Sequence, residues 1–180
     1  MSEVYKRLDR KLVHEGAIIT YYEDTMQIPN GKTAVWDFIG HKGAAAVVPV
    51  RSDGKILMVR QYRNALERET LEIPAGGRDG ADEPFLDCAH RELEEETGYK
   101  CDKDKMEFLL SIYTTVAFCN ERIDIFVARD LERSHQHLDD DEFVDVVAMD
   151  IDKLLEMIYS GKLQDSKTVG AILAYKNKYL

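Results

Sequence analysis

Acidic residues are concentrated between Gly77 and Tyr99, a stretch that contains only two basic residues, Arg78 and Arg91. Its eight acids are Asp79, Asp82, Glu83, Asp87, Glu92, Glu94, Glu95 and Glu96. Eight negative charges against two positive ones leave this stretch with a net charge of −6. A proline suits the first position of a helix and a glycine suits the cap after its end, so the pattern predicts a helix over Pro84–Thr97.

Three of these carboxylates share one side of the predicted helix. An advance of about 100° per residue places Glu92, Glu95 and Glu96 within an arc of roughly 100°, beside the apolar residues that face the core. Late in a helix, such carboxylates repel one another and face the negative end of the helix dipole. A divalent cation such as Mg²⁺ or Mn²⁺ would relieve both costs, because it prefers hard oxygen ligands. The crowding alone leaves a solvated acidic face open as the alternative.

The spacing of these residues follows a known pattern at all nine of its specified positions. Gly77, Glu83 and the run Arg91–Tyr99 reproduce G-x5-E-x7-R-E-U-x-E-E-x-G-U, in which U is aliphatic or aromatic. The chain therefore resembles the Nudix hydrolases, a family that cleaves nucleoside diphosphates linked to another moiety. Hydrolysis of a pyrophosphate needs the phosphate charge neutralised and a water activated, and clustered divalent ions do both.

The resemblance implies a role for each residue of the pattern. It implies that Glu92, Glu95 and Glu96 are catalytic metal ligands and that Arg91 orients their carboxylates. Gly77 would shape the loop, and Glu83 would support the helix start or an outer metal. The loop is one residue longer than is usual in the ADP-ribose pyrophosphatase branch of the family, so the backbone carbonyl expected in the metal shell is that of Ala75 or Gly76.

The flanking segments resemble the ADP-ribose pyrophosphatase branch of the family over roughly residues 10–175. The segments that carry this resemblance are Gly43–Val50, Asp53–Arg63, Glu69–Gly76 and the hairpin sequence Leu12–Trp36. The branch implies that Arg63 contacts substrate phosphate, that Glu72 lies in the site, and that Glu121 touches metal or the terminal phosphate. Trp36 is a candidate to stack on adenine. Core packing for the aromatic and a surface ion pair for Arg63 are the alternatives.

A run of four acids, Asp139–Glu142, precedes a predicted strand. Such a run is usually a solvated loop. In the branch that the chain resembles, a loop at this place supplies the general base for the attacking water. Asp140 or Glu142 is the candidate, and either would have to come within roughly 3 Å of that water.

The overall composition restricts the partners of the chain. It has 180 residues with 24 Lys+Arg against 34 Asp+Glu, a net charge of −10, which disfavours nucleic acid and anionic membrane surfaces. No apolar run reaches the roughly 18 residues of a membrane span and no signal-peptide core is visible, which predicts a cytoplasmic location. The three cysteines form no CxxC pair, which argues against structural zinc.

The hydrophobic pattern predicts the elements that must position these residues. Predicted strands are 16–27, 32–40, 44–50, 55–63, 71–74, 106–115, 122–131 and 143–150, and predicted helices are 84–97, 151–160 and 165–180. This order indicates an α+β fold. The resemblance implies an α/β/α sandwich with a mixed sheet, the Nudix fold, with an N-terminal β-hairpin extension. We expect residues 1–40 to be a hairpin region that dimerises, with exchanged hairpins, and residues 41–180 to be the Nudix hydrolase domain.

The function expected from this resemblance is Mg²⁺-dependent hydrolysis of ADP-ribose or a related ADP-sugar to AMP and a sugar 5-phosphate. A Nudix pyrophosphatase for another nucleotide sugar, a dinucleotide or a modified nucleoside triphosphate is the alternative with the same chemistry. A nucleotide-sensing module without turnover is the alternative of another class. Val116 stands where the branch usually has a proline associated with ADP-ribose preference, so the substrate stays open between the two enzymes.

Overall fold

A computed structural model describes residues 4–139 and 142–180 of the chain. These residues divide into two compact units. The first contains residues up to 43 together with 113–121, and the second contains residues 44–112 and 122–180. Among the described residues, no helix has the length and apolar character needed to cross a membrane.

The first unit is built on three antiparallel strands, β1 (Lys6–Glu15), β2 (Thr20–Gln27) and β3 (Thr33–Gly40), in that order. The predicted hairpin between β2 and β3 is present, and its turn uses Gly31 at a φ of 77°. The sequence did not predict β1, because charged residues interrupt its apolar alternation. Its pairing is supported by Arg10, which donates two hydrogen bonds of 2.6 Å to the carboxylate of Asp24 on β2.

The other described residues form a mixed sheet, two smaller sheets and three α-helices. The strands are β4 (Ala44–Pro49), β5 (Ile56–Arg63), β6 (Arg68–Glu72), β7 (Ala75–Gly77), β8 (Tyr99–Lys100), β9 (Glu107–Tyr113), β10 (Arg122–Ala128), β11 (Glu132–Arg133) and β12 (Val144–Met149). The helices are α1 (Phe85–Thr97), α2 (Ile151–Tyr159) and α3 (Ser166–Tyr179). The strand orders are β7-β4-β10-β9, β12-β5-β6 and β11-β8. The first of these sheets is mixed, because β4 runs parallel to β10 and antiparallel to β7.

Strand β4 lies between two hydrophobic cores, and all its residues are buried. Ala44, Ala46 and Val48 belong to the core that includes residues of α2 and α3. Ala45 and Val47 belong to the other core, which includes residues of α1. Since alternate side chains of a strand point to opposite faces, helices cover both faces of this sheet. The expected α/β/α arrangement with a mixed sheet is therefore confirmed.

Candidate active site

Helix α1 positions the carboxylates of the sequence motif. It runs over Phe85–Thr97 and ends at Gly98, whose φ of 67° gives the left-handed cap that the sequence predicts. The Gly98 N–H donates to the carbonyl of Glu94 at 2.9 Å. Leu93, on the apolar face of α1, is fully buried in the core beside β4. This packing fixes the rotation of the helix, and therefore the direction in which its carboxylates point.

The guanidinium of Arg91 lies among the acids. Its Nη1 donates to Glu92 Oε1 at 2.6 Å and to Glu95 Oε2 at 2.8 Å. Its Nε lies 3.3 Å from Glu83 Oε1, and its Nη2 donates to the Gly77 carbonyl at 3.0 Å. Although burial lowers it, the charge of Glu92 and the hydrogen bonds to the carboxylates raise the pKa of Arg91 above its usual range. Arg91 therefore contacts Glu83, Glu92 and Glu95, and its role in orienting the carboxylates stays a prediction.

Two of the three predicted metal ligands, Glu92 and Glu96, are buried. Glu92 is 8% exposed and Glu96 is 4% exposed. Burial raises the pKa of Glu92 to about 7, against the opposing effect of Arg91. Burial also raises the pKa of Glu96 to about 8, although the Ala75 N–H donates to this carboxylate at 2.8 Å. Holding both groups ionised at neutral pH therefore needs a positive charge in addition to that of Arg91.

Gly76 on β7 lies directly against the carboxylate of Glu92. A Cβ atom placed on Gly76 would overlap Cδ and both oxygens of Glu92, whereas a Cβ on Gly77 would meet nothing within 4 Å. The Gly76 carbonyl is 3.5 Å from the thiol of Cys88 on α1. Strand β7 and helix α1 therefore approach closely at Gly76, and the absence of a side chain there leaves the space for Glu92.

The donor set suits a hard divalent cation. Among residues 4–139 and 142–180, no three carboxylate, imidazole or thiol groups are already gathered around one ion position. Arg91, which bridges Glu92 and Glu95, holds them in the present arrangement. Carboxylate oxygens are the ligands that Mg²⁺ prefers, and its charge would offset the cost of ionising two buried acids. The residues therefore fit Mg²⁺, with Glu92, Glu95 and Glu96 as its expected ligands.

The acidic loop after β11 is tied to the C-terminal end of α1. The His137 N–H donates to the Glu95 carbonyl at 3.0 Å. The side-chain amide of Gln136 donates to the Glu96 carbonyl at 2.6 Å and to the Val144 carbonyl at 3.3 Å. One amide thus joins the helix to the first residue of β12, and sequence reasoning missed it because an isolated glutamine carries no motif.

One candidate general base, Glu142, lies within electrostatic range of the helix carboxylates. The charge of Glu142 adds to the rise in the pKa of both Glu92 and Glu96. The Glu142 N–H donates to the Asp139 carbonyl at 3.0 Å, and the Glu142 carboxylate accepts a hydrogen bond from the Asp139 N–H at 3.4 Å. Asp140, the other candidate, lies outside the described residues.

A second polar cluster joins Arg63 and Glu72 in an ion pair, the alternative that the sequence left open for Arg63, and their predicted roles toward the substrate stay predictions. Arg63 Nε and Nη2 donate to the two oxygens of Glu72 at 2.8 and 2.7 Å. Thr70 donates to the same carboxylate at 2.5 Å, and Lys167 Nζ donates to it as well. Burial alone would raise the pKa of Glu72, but these donors and positive charges lower it to about 2. The charge of Glu96 acts on the pKa of Arg63, so this cluster and the helix carboxylates are within electrostatic range.

Sequence reasoning missed Thr70 and Lys167. The sequence places Lys167 in the first turn of a predicted helix, where a cation is unfavourable because it faces the positive end of the helix dipole. This unfavourable position could have marked the residue. The N-cap of α3, Asp165, accepts a 3.0 Å hydrogen bond from the Thr168 N–H.

Trp36 and Glu121 belong to the first unit. Trp36 on β3 is 45% exposed, and its ring centroid is 6.0 Å from that of Tyr5. Glu121 accepts a 2.6 Å hydrogen bond from the Thr114 hydroxyl and lies 3.7 Å from His41 Nε2. Their predicted roles toward the substrate stay predictions.

Comparison with protein families decides the assignment of the chain. Residues 40–169 match the model of the NUDIX domain. The chain is a Nudix hydrolase.

Two named relatives are similar to this chain over most of its length. This Nudix hydrolase is 37% identical over 169 residues to an ADP-ribose pyrophosphatase of Bacillus subtilis, covering 93% of this chain and 90% of that protein. It is 38% identical over 169 residues to a methanol dehydrogenase activator of Bacillus methanolicus, with the same coverage. The crystal structure of an ADP compounds hydrolase superimposes with a TM-score of 0.84 at 20% identity, covering 97% of this chain and 94% of that one. This last similarity establishes the shared fold.

Proposed function

We propose that this Nudix hydrolase uses Mg²⁺ to hydrolyse the pyrophosphate bond of ADP-ribose or a related ADP-sugar. Water adds to one phosphorus, the bond from that phosphorus to the bridging oxygen breaks, and the products are AMP and a sugar 5-phosphate. The observation that carries pyrophosphate chemistry is the buried carboxylate pair Glu92 and Glu96 beside Glu95 on α1. The 37% identity to an ADP-ribose pyrophosphatase supports the choice of ADP-ribose.

Each group of the site has a part in this proposal. Mg²⁺ held by Glu92, Glu95, Glu96 and the carbonyl of Ala75 or Gly76 would neutralise phosphate charge and lower the pKa of a bound water. Arg91 holds Glu92 and Glu95 in place through charge-assisted hydrogen bonds.

Two further groups would act on the water and the phosphate. Glu142 or Asp140 would accept the proton of the attacking water. Arg63 would bind a substrate phosphate through Nη1, which its bonds to Glu72 do not use. Trp36 and Glu121 are proposed as further substrate contacts, the ring on adenine and the carboxylate near the terminal phosphate.

We also propose that residues 1–40 form a dimerisation element for the Nudix domain, residues 41–180. Strands β1 and β3 expose large apolar side chains that a monomer would leave in water, among them Leu8, Leu12, Val35 and Trp36. A second copy of the chain, with exchanged N-terminal strands, would cover them. Analytical ultracentrifugation tests this directly, and a monomer at micromolar concentration would contradict it.

Product analysis tests the proposed reaction. The purified protein with Mg²⁺ is incubated separately with ADP-ribose, GDP-mannose, NADH, a dinucleoside polyphosphate and 8-oxo-dGTP. We expect AMP and ribose 5-phosphate from ADP-ribose, and no products after chelation of the metal. Preference for another substrate would keep the chemistry and direct attention to Val116. No turnover of any substrate would favour the sensing module.

The relative from Bacillus methanolicus supports a second candidate function, activation of a methanol dehydrogenase. The test is the initial rate of a purified methanol dehydrogenase with and without this chain. The Glu96→Gln variant should be included as the control, because it shows whether any activation depends on the carboxylate cluster. An unchanged rate with the wild-type chain would remove this candidate.

A further inference from the structure

The ammonium of Lys167 is buried at the start of α3. Its side chain is 9% exposed, and lysine is among the residues least often fully buried in proteins. It is the second residue after the N-cap Asp165, so it also faces the positive end of the helix dipole. Both conditions disfavour a cation there, and the cost must be offset by specific partners.

Two carboxylates supply that compensation. Lys167 Nζ donates to Glu72 Oε2, and it lies 3.0 Å from Asp165 Oδ2. Asp165 also accepts a 2.6 Å hydrogen bond from the Thr168 hydroxyl, which in turn accepts a 2.9 Å bond from the Ile73 N–H. The beginning of α3 is therefore fixed to the backbone residue that directly follows Glu72.

Glu72 is held between two cations that differ in exposure. Lys167 is buried on one side, whereas the side chain of Arg63 is 41% exposed. Arg63 uses Nε and Nη2 for Glu72, which fixes the plane of its guanidinium. If the Glu72 carboxylate rotated, this bidentate geometry would be lost, since it needs both oxygens in the plane of the guanidinium. Lys167, bound to Oε2, resists that rotation.

We propose that Lys167 is a positioning residue for substrate binding: it fixes the Glu72 carboxylate, and Glu72 in turn aims the guanidinium of Arg63 at a substrate phosphate. This inference rests on the proposed function. Lys167 acts through its neighbours and touches no substrate itself. Its removal therefore changes the apparent affinity for the phosphate more than the rate of the chemical step.

A double-mutant cycle tests this role. Lys167→Met, Glu72→Gln and the double variant are compared with wild type for KM and kcat on ADP-ribose and for Kd of its non-hydrolysable methylene analogue. Lys167→Met should raise KM and Kd about tenfold, with kcat within about threefold. In the Glu72→Gln background the same replacement should change neither KM nor Kd. Lys176→Met is the matched control, because Lys176 is an exposed lysine of the same helix paired with Asp152.

The outcomes separate positioning from a purely structural role. A lysine that only docks α3 would lower the unfolding temperature in both backgrounds and leave KM unchanged, which would overturn the inference. Equal effects on KM in both backgrounds would also overturn it. If Lys167→Met does not fold, the cycle is run with Lys167→Gln, which keeps a hydrogen-bond donor and should give a smaller rise in KM. A wild type that neither binds nor hydrolyses ADP-ribose defeats the proposed function and this inference together, whereas failure of the cycle in an active wild type defeats the inference alone.

Discussion

Replacement of Gly76 by alanine should lower the activity strongly while leaving the fold in place. The added Cβ would overlap the carboxylate of Glu92. Ordinary separations between non-bonded heavy atoms are about 3.5–4.0 Å, so the carboxylate would have to move by at least about 1 Å. That group is the end of a flexible side chain, so it can move without shifting β7 or α1.

The size of the effect follows from that displacement. A catalytic group misplaced by about 1 Å can cost about 100-fold in rate. We therefore expect kcat/KM of Gly76→Ala to fall about 100-fold. The unfolding temperature should fall by less than about 4 °C, which corresponds to about 1 kcal/mol in a domain of this size.

Gly77→Ala is the matched control, since a Cβ at Gly77 meets nothing within 4 Å and the backbone φ there is not in the left-handed region. The assay is AMP release from ADP-ribose with saturating Mg²⁺, alongside thermal unfolding of each variant. Gly77→Ala should stay within about threefold of wild type, as most substitutions away from packed sites do. Equal activity of the two variants, or a Gly76→Ala enzyme as active as wild type, would refute the placement of Glu92.

Four further replacements test single carboxylates. Glu95→Gln and Glu96→Gln should each lower kcat at least about 1,000-fold with circular dichroism unchanged, because each removes a charged metal ligand; unchanged activity in both would contradict the metal site. Glu142→Gln should lower kcat about 100-fold if this residue is the base, measured by steady-state kinetics, and a smaller loss would indicate a base that is shared or supplied elsewhere. Glu72→Gln tests a charge with a pKa of about 2 in the folded chain against 4.5 ordinarily. The contribution of the Glu72 charge to the free energy of unfolding is present above pH 4.5 and lost as the pH falls toward 2. Urea titrations should therefore show wild type more stable than Glu72→Gln by about 3 kcal/mol above pH 4.5, and this difference should narrow as the pH falls toward 2. A gap independent of pH would count against the ion pairs of Glu72.

The sequence predicts the catalytic helix well because its signals are local. Pro84 and Gly98 mark the ends of α1, and the three carboxylates share a side simply through helical periodicity. Strand β4 and the first four residues of β5 are equally visible as apolar runs, since buried strands lack a polar alternation. Strand β1 was missed because its residues are almost all exposed and its pairing depends on long-range partners such as Asp24.

Long-range contacts explain what the sequence could not supply at the site. Counting along the motif favours Gly77 as the glycine that shapes the loop, but the glycine that lies against Glu92 is Gly76. That distinction depends on how closely β7 approaches α1, which no local pattern encodes. Lys167 is separated from Glu72 by 95 residues, and Gln136 contacts α1 from 40 residues away. Pairings at such separations arise from the tertiary packing.

Because β4 lies between two cores, its sequence can change little during evolution. Every side chain from Ala44 to Pro49 is enclosed, so no position on the strand tolerates a larger residue without cost on one face or the other. Ala45 also pairs directly with Gly76, so enlarging it would disturb the strand that supports Glu92. Drift in related genes, and libraries made for directed evolution, should therefore leave this segment nearly unchanged. New substrate preferences would have to arise in the loops that follow the strands.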